Sequence, residues 1–207
     1  MNERLINFIR SKLAKLRRLF ICSEDFSIIS DNCWGGFVYQ NFDLEYKTPF
    51  IGLFIFAPDY IRMLKSLTVY LEKEVYFIPA NKSRYIDEMK RHGIYNCYPI
   101  GVLGDVELHF MHYQSEEEAI KKWNRRLKRL NYDNLIIKFW EGDGASLDDI
   151  QEFNKLEFKN KHCFTSKDMG LESTINIANR NGLIDNEWMC FKKKHNIIKF
   201  MNRRLKN

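Results

Sequence analysis

The chain has 207 residues, of which 45% are hydrophobic and 29% charged, a composition that supports a globular core and excludes a disordered or collagen-like chain. The longest apolar run, between Pro49 and Pro58, is shorter than the roughly 20 residues of a transmembrane helix. The net charge of +6 is concentrated in residues 1–20 and 192–207, so the body between them is acidic. We therefore expect no nucleic-acid binding across the body, whereas the basic ends suit an anionic membrane surface.

The cysteine pattern indicates a reducing compartment. The five cysteines are odd in number, widely spaced and without a C-x-x-C pair: Cys22, Cys33, Cys97, Cys163 and Cys190. The N-terminal residues interleave charged and apolar side chains and show no continuous apolar segment of a secretory leader. The sequence thus predicts a cytoplasmic protein with reduced thiols, which could associate with the inner face of the membrane.

Residues 1–24 are expected to form a basic amphipathic helix, either part of the main domain or peripheral to it. Its apolar residues recur at steps of three and four along one face, and the opposite face is basic. Two interpretations remain open: a surface helix whose stripe packs on the body, or an interfacial helix that lies on a membrane. The stripe consists of Leu5, Ile9, Leu13, Leu16 and Phe20.

Strand-like and helix-like segments alternate through the rest of the chain. Apolar or alternating runs predict strands at 26–30, 50–56, 75–78, 98–104, 106–112, 134–140, 161–165 and 174–178. Caps and periodicity predict helices after Gly36, over 58–71, from Ser115 to about 130, over 146–156 and over 196–204. This alternation predicts a single α/β domain over 25–207, a three-layer α/β/α sandwich with a mostly parallel or mixed sheet.

The segment that follows the first strand is the strongest site candidate, because ligands in open α/β sheets bind outside the carboxyl ends of strands. Asp31 is a candidate base or orienting group, and Cys33 a candidate nucleophile if its pKa is lowered there. The alternative is a tight turn in which Trp34 anchors the core. The candidate substrate-binding residues of this segment are Ser30, Asn32, Trp34, Gly35 and Gly36.

Three further residues follow predicted strands and could converge with Asp31 if those strands are parallel. They are His112 and Asp143, as catalytic candidates, and Thr165, as a binding candidate. Each is alternatively a structural or turn residue. His109 and His112 are three apart on a strand, which puts them on opposite faces and makes them a poor metal pair. No dinucleotide, nucleotide-triphosphate or zinc-protease motif is present. We therefore predict no metal site, and the sequence leaves the cofactor unknown.

The segment from Ser30 to Gly36 resembles a bacterial family, domain-of-unknown-function family 1919, often labelled exopolysaccharide biosynthesis protein. The resemblance extends from about residue 25 to 200. Further matching segments are 46–54, Tyr98-Pro99-Ile100-Gly101, 108–113, 119–128 with Trp123 and Arg125-Arg126, 131–134 and 158–161.

The resemblance implies a three-layer α/β/α fold and a role in capsule or exopolysaccharide biosynthesis, but it brings no catalytic residue set. One interpretation is a glycosyl- or acyltransferase acting on a nucleotide-linked or lipid-linked sugar. The other is a non-enzymatic binding or scaffolding subunit of the polysaccharide assembly machinery. Substitution of Asp31 or His112 is expected to abolish polysaccharide product in the first case only.

Overall fold

The computed structural model describes residues 3–205 of the chain. The two residues at each end, and the side chains of Glu3, Arg4 and Asn7, lie outside what it describes, including parts of the predicted N-terminal helix and of the basic C-terminal end. The helices are α1 Glu3–Arg18, α2 Trp34–Asn41, α3 Ala57–Leu64, α4 Leu67–Leu71, α5 Ile86–Arg91, α6 Glu116–Leu127, α7 Leu147–Lys155, α8 Glu187–Lys194 and α9 Ile197–Leu205. The strands are β1 Ser27–Ser30, β2 Val75–Ile78, β3 Ile100–Leu103, β4 Val106–His109, β5 Leu135–Trp140, β6 Lys161–Thr165 and β7 Thr174–Asn176.

The principal sheet is parallel, with the strand order β1-β5-β6-β7. Ser30 of β1 is in register with Lys138 of β5, which in turn is in register with His162 of β6. Because all four strands run in the same direction, the loops that follow β1, β5 and β6 leave the sheet at one edge. The α/β class predicted from the sequence is confirmed, and the principal sheet, expected to be mostly parallel or mixed, is parallel.

The principal sheet is covered on both faces, which explains why its strands are nearly continuous apolar runs. Successive residues of a strand point to opposite sides, so Ile28 and Ile29 enter different core clusters. The Ile29 side packs against α3, α6 and α7. The Ile28 side packs against α2, α8 and α9.

A second, antiparallel sheet with the order β2-β3-β4 lies between β1 and β5 in the chain. The prediction of a strand over 50–56 was wrong: only one bridge, between Phe54 and His109, forms there. Gly52 has a φ of +72°, which interrupts extended backbone. The segment instead joins the two sheets, since the Phe54 amide donates to the His109 carbonyl at 3.0 Å and the Ile55 amide donates to the Asp31 carbonyl at 2.8 Å.

The helix prediction over 58–71 was too long. The chain leaves the helical conformation at Ser66, with φ −147° and ψ 47°, and this separates α3 from α4. Helices α5 and α8 were not predicted. In α8 the buried residues are Cys190 and Phe191, and three lysines follow them, so the short helix shows little amphipathic periodicity in its sequence.

Helix α1 follows the predicted amphipathic pattern, but it packs on the body through a narrow face. Ala14 is buried, whereas the predicted stripe residues are 43–59% exposed. The structure thus contradicts the interpretation in which the stripe packs on the body. Among the described residues, no helix has both the length and the apolar character to cross a bilayer.

Candidate functional site

A cavity of about 650 Å³ opens at the carboxyl edge of the parallel sheet. It lies between the loops that follow β1 and β5, the N-terminus of α8 and the C-terminal end of α5. This is the position at which open α/β sheets bind their ligands. Its wall is largely aromatic, formed by Trp34, Phe37, Phe54, Phe56, Trp140 and Trp188.

A buried ammonium group lies behind the wall of the cavity. Lys138 of β5 has a fully buried side chain, and its Nζ lies 2.9 Å from Asp31 Oδ1 and 2.9 Å from Asn32 Oδ1. The same Nζ contacts Glu187 of α8, whose side chain is 11% exposed and lines the cavity. Asn32 Nδ2 donates to Glu187 Oε2 at 2.8 Å and closes the cluster. The cluster therefore joins β1, β5 and α8.

Two carboxyl groups share one ammonium group in this cluster, so a buried negative charge remains unless one carboxyl is protonated. Burial raises the pKa of Asp31 to about 8, although Lys138 opposes the shift. Burial also raises the pKa of Glu187. Burial lowers the pKa of Lys138, but the two neighbouring carboxyl groups together have the larger effect, so the pKa of that lysine is raised. The cluster therefore retains a proton near neutral pH, beside the cavity.

A second carboxyl group, that of Asp143, lines the cavity from the loop after β5. Asp143 has a φ of 52°, and the indole Nε1 of Trp140 donates to its Oδ2 at 2.9 Å. Burial raises the pKa of Asp143. Two acidic groups with raised pKa values, Asp143 and Glu187, thus line one cavity, an arrangement that suits proton transfer near neutral pH.

The turn after β1 places Asn32 and Cys33 on the cavity wall. Asn32 Oδ1 accepts from the Trp34 amide at 3.1 Å and so holds the chain at the start of α2. Cys33 precedes the helix, but burial raises the pKa of its thiol. The environment thus disfavours the thiolate that a nucleophilic role requires.

Other candidates from this segment serve packing. A Cβ on Gly35 would lie 3.0 Å from Ile28 Cγ2, so the glycine allows α2 to approach β1 closely. Gly36, also buried, does not line the cavity. Trp34 contributes to the cavity wall, yet it is 1% exposed and packs edge-on against His162. This agrees with the alternative interpretation, in which Trp34 anchors the core.

Ser30 and Thr165 lie at the same edge of the sheet but are buried away from the cavity. Thr165 Oγ1 donates to the Lys167 carbonyl at 2.8 Å, which is a turn contact. Ser30 Oγ has no hydrogen-bond partner among the described residues.

His112 is not brought together with Asp31 and Asp143. Strand β4 ends at His109, and His112 is exposed in the turn that follows, beside a different surface depression. His109 itself is fully buried and stacks on Phe54 with 4.7 Å between ring centroids. Burial lowers the pKa of His109 to about 3, so it is a neutral core residue.

Sequence reasoning missed Lys138, Glu187 and Arg91. Arg91 and the neighbouring His92 are exposed at the C-terminal end of α5 and line the cavity, where they can contact an anionic group. Over residues 3–205, no cluster of three or more histidine, cysteine or acidic side chains is arranged to hold a metal ion. The arrangement therefore offers aromatic faces, three acidic side chains, those of Glu88, Asp143 and Glu187, and the guanidinium group of Arg91.

Two comparisons relate this chain to known proteins. A family described as a domain of unknown function (DUF1919) matches residues 5–203. An uncharacterized protein of Haemophilus influenzae (strain ATCC 51907 / DSM 11121 / KW20 / Rd) is 36% identical over 167 residues, which cover 77% of this chain and 74% of that protein. These matches bear on the family and not on the role of any individual residue. The chain belongs to the DUF1919 family.

Proposed function

We propose that the protein is a cytoplasmic glycosyltransferase of surface-polysaccharide biosynthesis, which uses the cavity to bind a sugar linked to a phosphate group. The proposal is based on one observation: Asp143 and Glu187, whose pKa values are both raised, line the same cavity, and the wall of that cavity is largely aromatic. Apolar faces of sugar rings stack on aromatic side chains, and carboxylates accept hydrogen bonds from sugar hydroxyl groups. The five free cysteines agree with a cytoplasmic location.

The chemistry follows from the positions of the charged groups. The Glu187 carboxylate reaches the cavity and can accept the proton of an acceptor hydroxyl, whose oxygen then bonds to the anomeric carbon. The bond between that carbon and the leaving phosphate oxygen breaks, and the phosphate keeps the electron pair. Arg91 at the rim is placed to stabilise the negative charge of the leaving group. Lys138 holds Glu187 in place from behind.

Acyl transfer through a cysteine nucleophile is a weaker alternative. Burial raises the pKa of the Cys33 thiol, and His112 and His109 lie elsewhere, so neither histidine activates it. A scaffolding role is the second candidate, since no established catalytic motif is present.

A test in cells separates the enzyme from the scaffold. A strain that lacks the gene is complemented with the wild type, with Glu187→Gln, with Asp143→Asn or with His112→Ala as the control outside the cavity. An enzyme loses polysaccharide with the first two variants and keeps it with His112→Ala. Normal polysaccharide with soluble, folded Glu187→Gln and Asp143→Asn would favour the scaffold.

A test with purified protein addresses the substrate. Uridine- and guanosine-diphosphate sugars are offered to the wild type, and ligand-observed NMR measures binding. Released nucleoside diphosphate measures transfer of the sugar to water, which is the acceptor in this assay. We expect Arg91→Ala to weaken binding and Glu187→Gln to abolish release while binding persists. Glu152→Gln, at an exposed carboxylate of α7, is the matched control. Binding that is unchanged by Arg91→Ala would contradict the assigned position of the phosphate group.

A further inference from the structure

Helix α1 exposes an unusually apolar outer face. Seven apolar side chains between residues 5 and 20 are 43–78% exposed, while Ala14 on the opposite side is 5% exposed. Scattered exposed apolar residues are normal, but a continuous row along one helix indicates a surface that is covered in use. The row comprises Leu5, Phe8, Ile9, Leu13 and Leu16 on α1, and Leu19 and Phe20 in the turn that follows the helix.

The charges around this row indicate what covers it. Lys12 and Lys15 are exposed on the helix, and no acidic residue occurs between Arg4 and Ser23. Across a groove from α1, helix α8 adds the exposed Lys192. An apolar face bordered by lysine and arginine is the pattern of a helix that lies in the headgroup region of an anionic bilayer.

The same groove adjoins the candidate site. Phe37 and Trp188 line both the groove beside α1 and the cavity at the sheet edge. Phe37 is 41% exposed, and Met189, next to Trp188, is 47% exposed. The groove therefore runs from the Ala14 side of α1, past Phe37 and Trp188, to the mouth of the cavity.

We infer that α1 and the N-terminal part of α8 form a docking surface for anionic phospholipid, and that docking places the mouth of the cavity at the membrane. The surface is independent of the reaction in the cavity, and it serves any ligand that is anchored in the bilayer. A lipid-linked sugar would reach the cavity without leaving the membrane.

The test is flotation of the full-length protein with vesicles of phosphatidylcholine alone or mixed with phosphatidylglycerol. We expect the wild type to float with the mixed vesicles, less at high salt, and not with phosphatidylcholine alone. The variant Leu13→Asp/Leu16→Asp should reduce vesicle binding by about tenfold or more, because each exposed leucine loses its transfer into the bilayer. The variant Lys12→Glu/Lys15→Glu should also reduce vesicle binding, because it reverses two charges near the anionic lipid and leaves the apolar side chains unchanged.

Leu147→Asp is the matched control, since Leu147 is 64% exposed on α7, away from the docking surface. It should float like the wild type. Circular dichroism establishes that each variant is folded. The inference is overturned if the wild type stays in the soluble fraction with mixed vesicles, or if both double variants float like the wild type. It is also overturned if sedimentation shows that Leu13→Asp/Leu16→Asp only converts a dimer into a monomer and vesicle binding is unchanged.

Discussion

Replacement of the buried lysine by an apolar residue of similar length, Lys138→Met, would remove the one positive charge between two buried carboxyl groups. The side chain of Lys138 is fully buried, and that of Asp31 is 1% exposed. Removal of one partner from a buried ion pair costs about 3–5 kcal/mol, because the other charge is left without a partner. At pH 7 we therefore expect the variant to lose about 3–5 kcal/mol of the free energy of unfolding.

The loss should depend on pH in a defined direction. In the wild type the cluster retains one proton near neutrality, whereas without Lys138 both Asp31 and Glu187 must be protonated to stay buried. Both carboxyl groups are ionised in the unfolded chain above pH of about 5. The folded variant thus binds one proton more than the folded wild type, so its relative stability falls as the pH rises. The stability difference between the variant and the wild type grows by about 1.4 kcal/mol per pH unit. The loss of unfolding free energy at pH 5 should therefore be about 2.7 kcal/mol smaller than at pH 7.

Urea unfolding at pH 5, 6 and 7, followed by tryptophan fluorescence and circular dichroism, measures these values. Lys65→Met is the control, because Lys65 pairs with Glu152 on the surface at 2.8 Å and should change stability little at any pH. The double variant Lys138→Met/Asp31→Asn should recover part of the loss at pH 7. If Lys138→Met destabilises by the same amount at pH 5 and 7, or no more than the control, the assignment of a shared proton to this cluster is wrong.

Two further predictions concern the turn after β1. Gly35→Ala should lower the free energy of unfolding by about 1–3 kcal/mol, since its Cβ would lie 3.0 Å from Ile28 Cγ2, whereas Gly36→Ala, with its nearest atom at 3.7 Å, should not destabilise in the same urea titration. Cys33 should react with iodoacetamide at pH 8 much more slowly than the exposed Cys22, because burial raises the pKa of the Cys33 thiol. Peptide mass spectrometry after timed quenching measures both rates, and Cys33 labelled first would show that its thiol is activated.

The sequence allowed the strands of the principal sheet to be predicted, but not their order, and it singled out some of the residues at the candidate site. The strands β1, β5 and β6 are apolar runs that end in polar or glycine-containing turns, so their edges and Asp31, Asn32 and Asp143 could be placed. His112 was placed on a strand because the apolar pattern continues past His109, but the backbone turns there, with the Met111 amide bonded to the His109 carbonyl at 2.8 Å.

The rest of the site depends on residues that are distant in the sequence. Lys138 lies within an apolar strand, where a single lysine is easily taken for a solvent-facing residue. A lysine flanked on both sides by apolar residues of a covered sheet must find a carboxylate, and that was the available signal. Its partner Glu187 belongs to the unpredicted helix α8, and no local pattern relates the two residues.

The strand order has a consequence for synthesis of the protein on the ribosome. Among the strands within residues 3–205, β1 pairs with β5 alone, which lies about 100 residues further along the chain. At about 5–20 residues per second, β1 waits on the order of 5–20 s before its partner emerges. During that interval Ile28 can pack on α2 but not on α8 or α9, and Ile29 can pack on α3 and α6 but not on α7. Substitutions that loosen α2 should therefore appear first as aggregation during expression, before they lower the melting temperature of the purified protein.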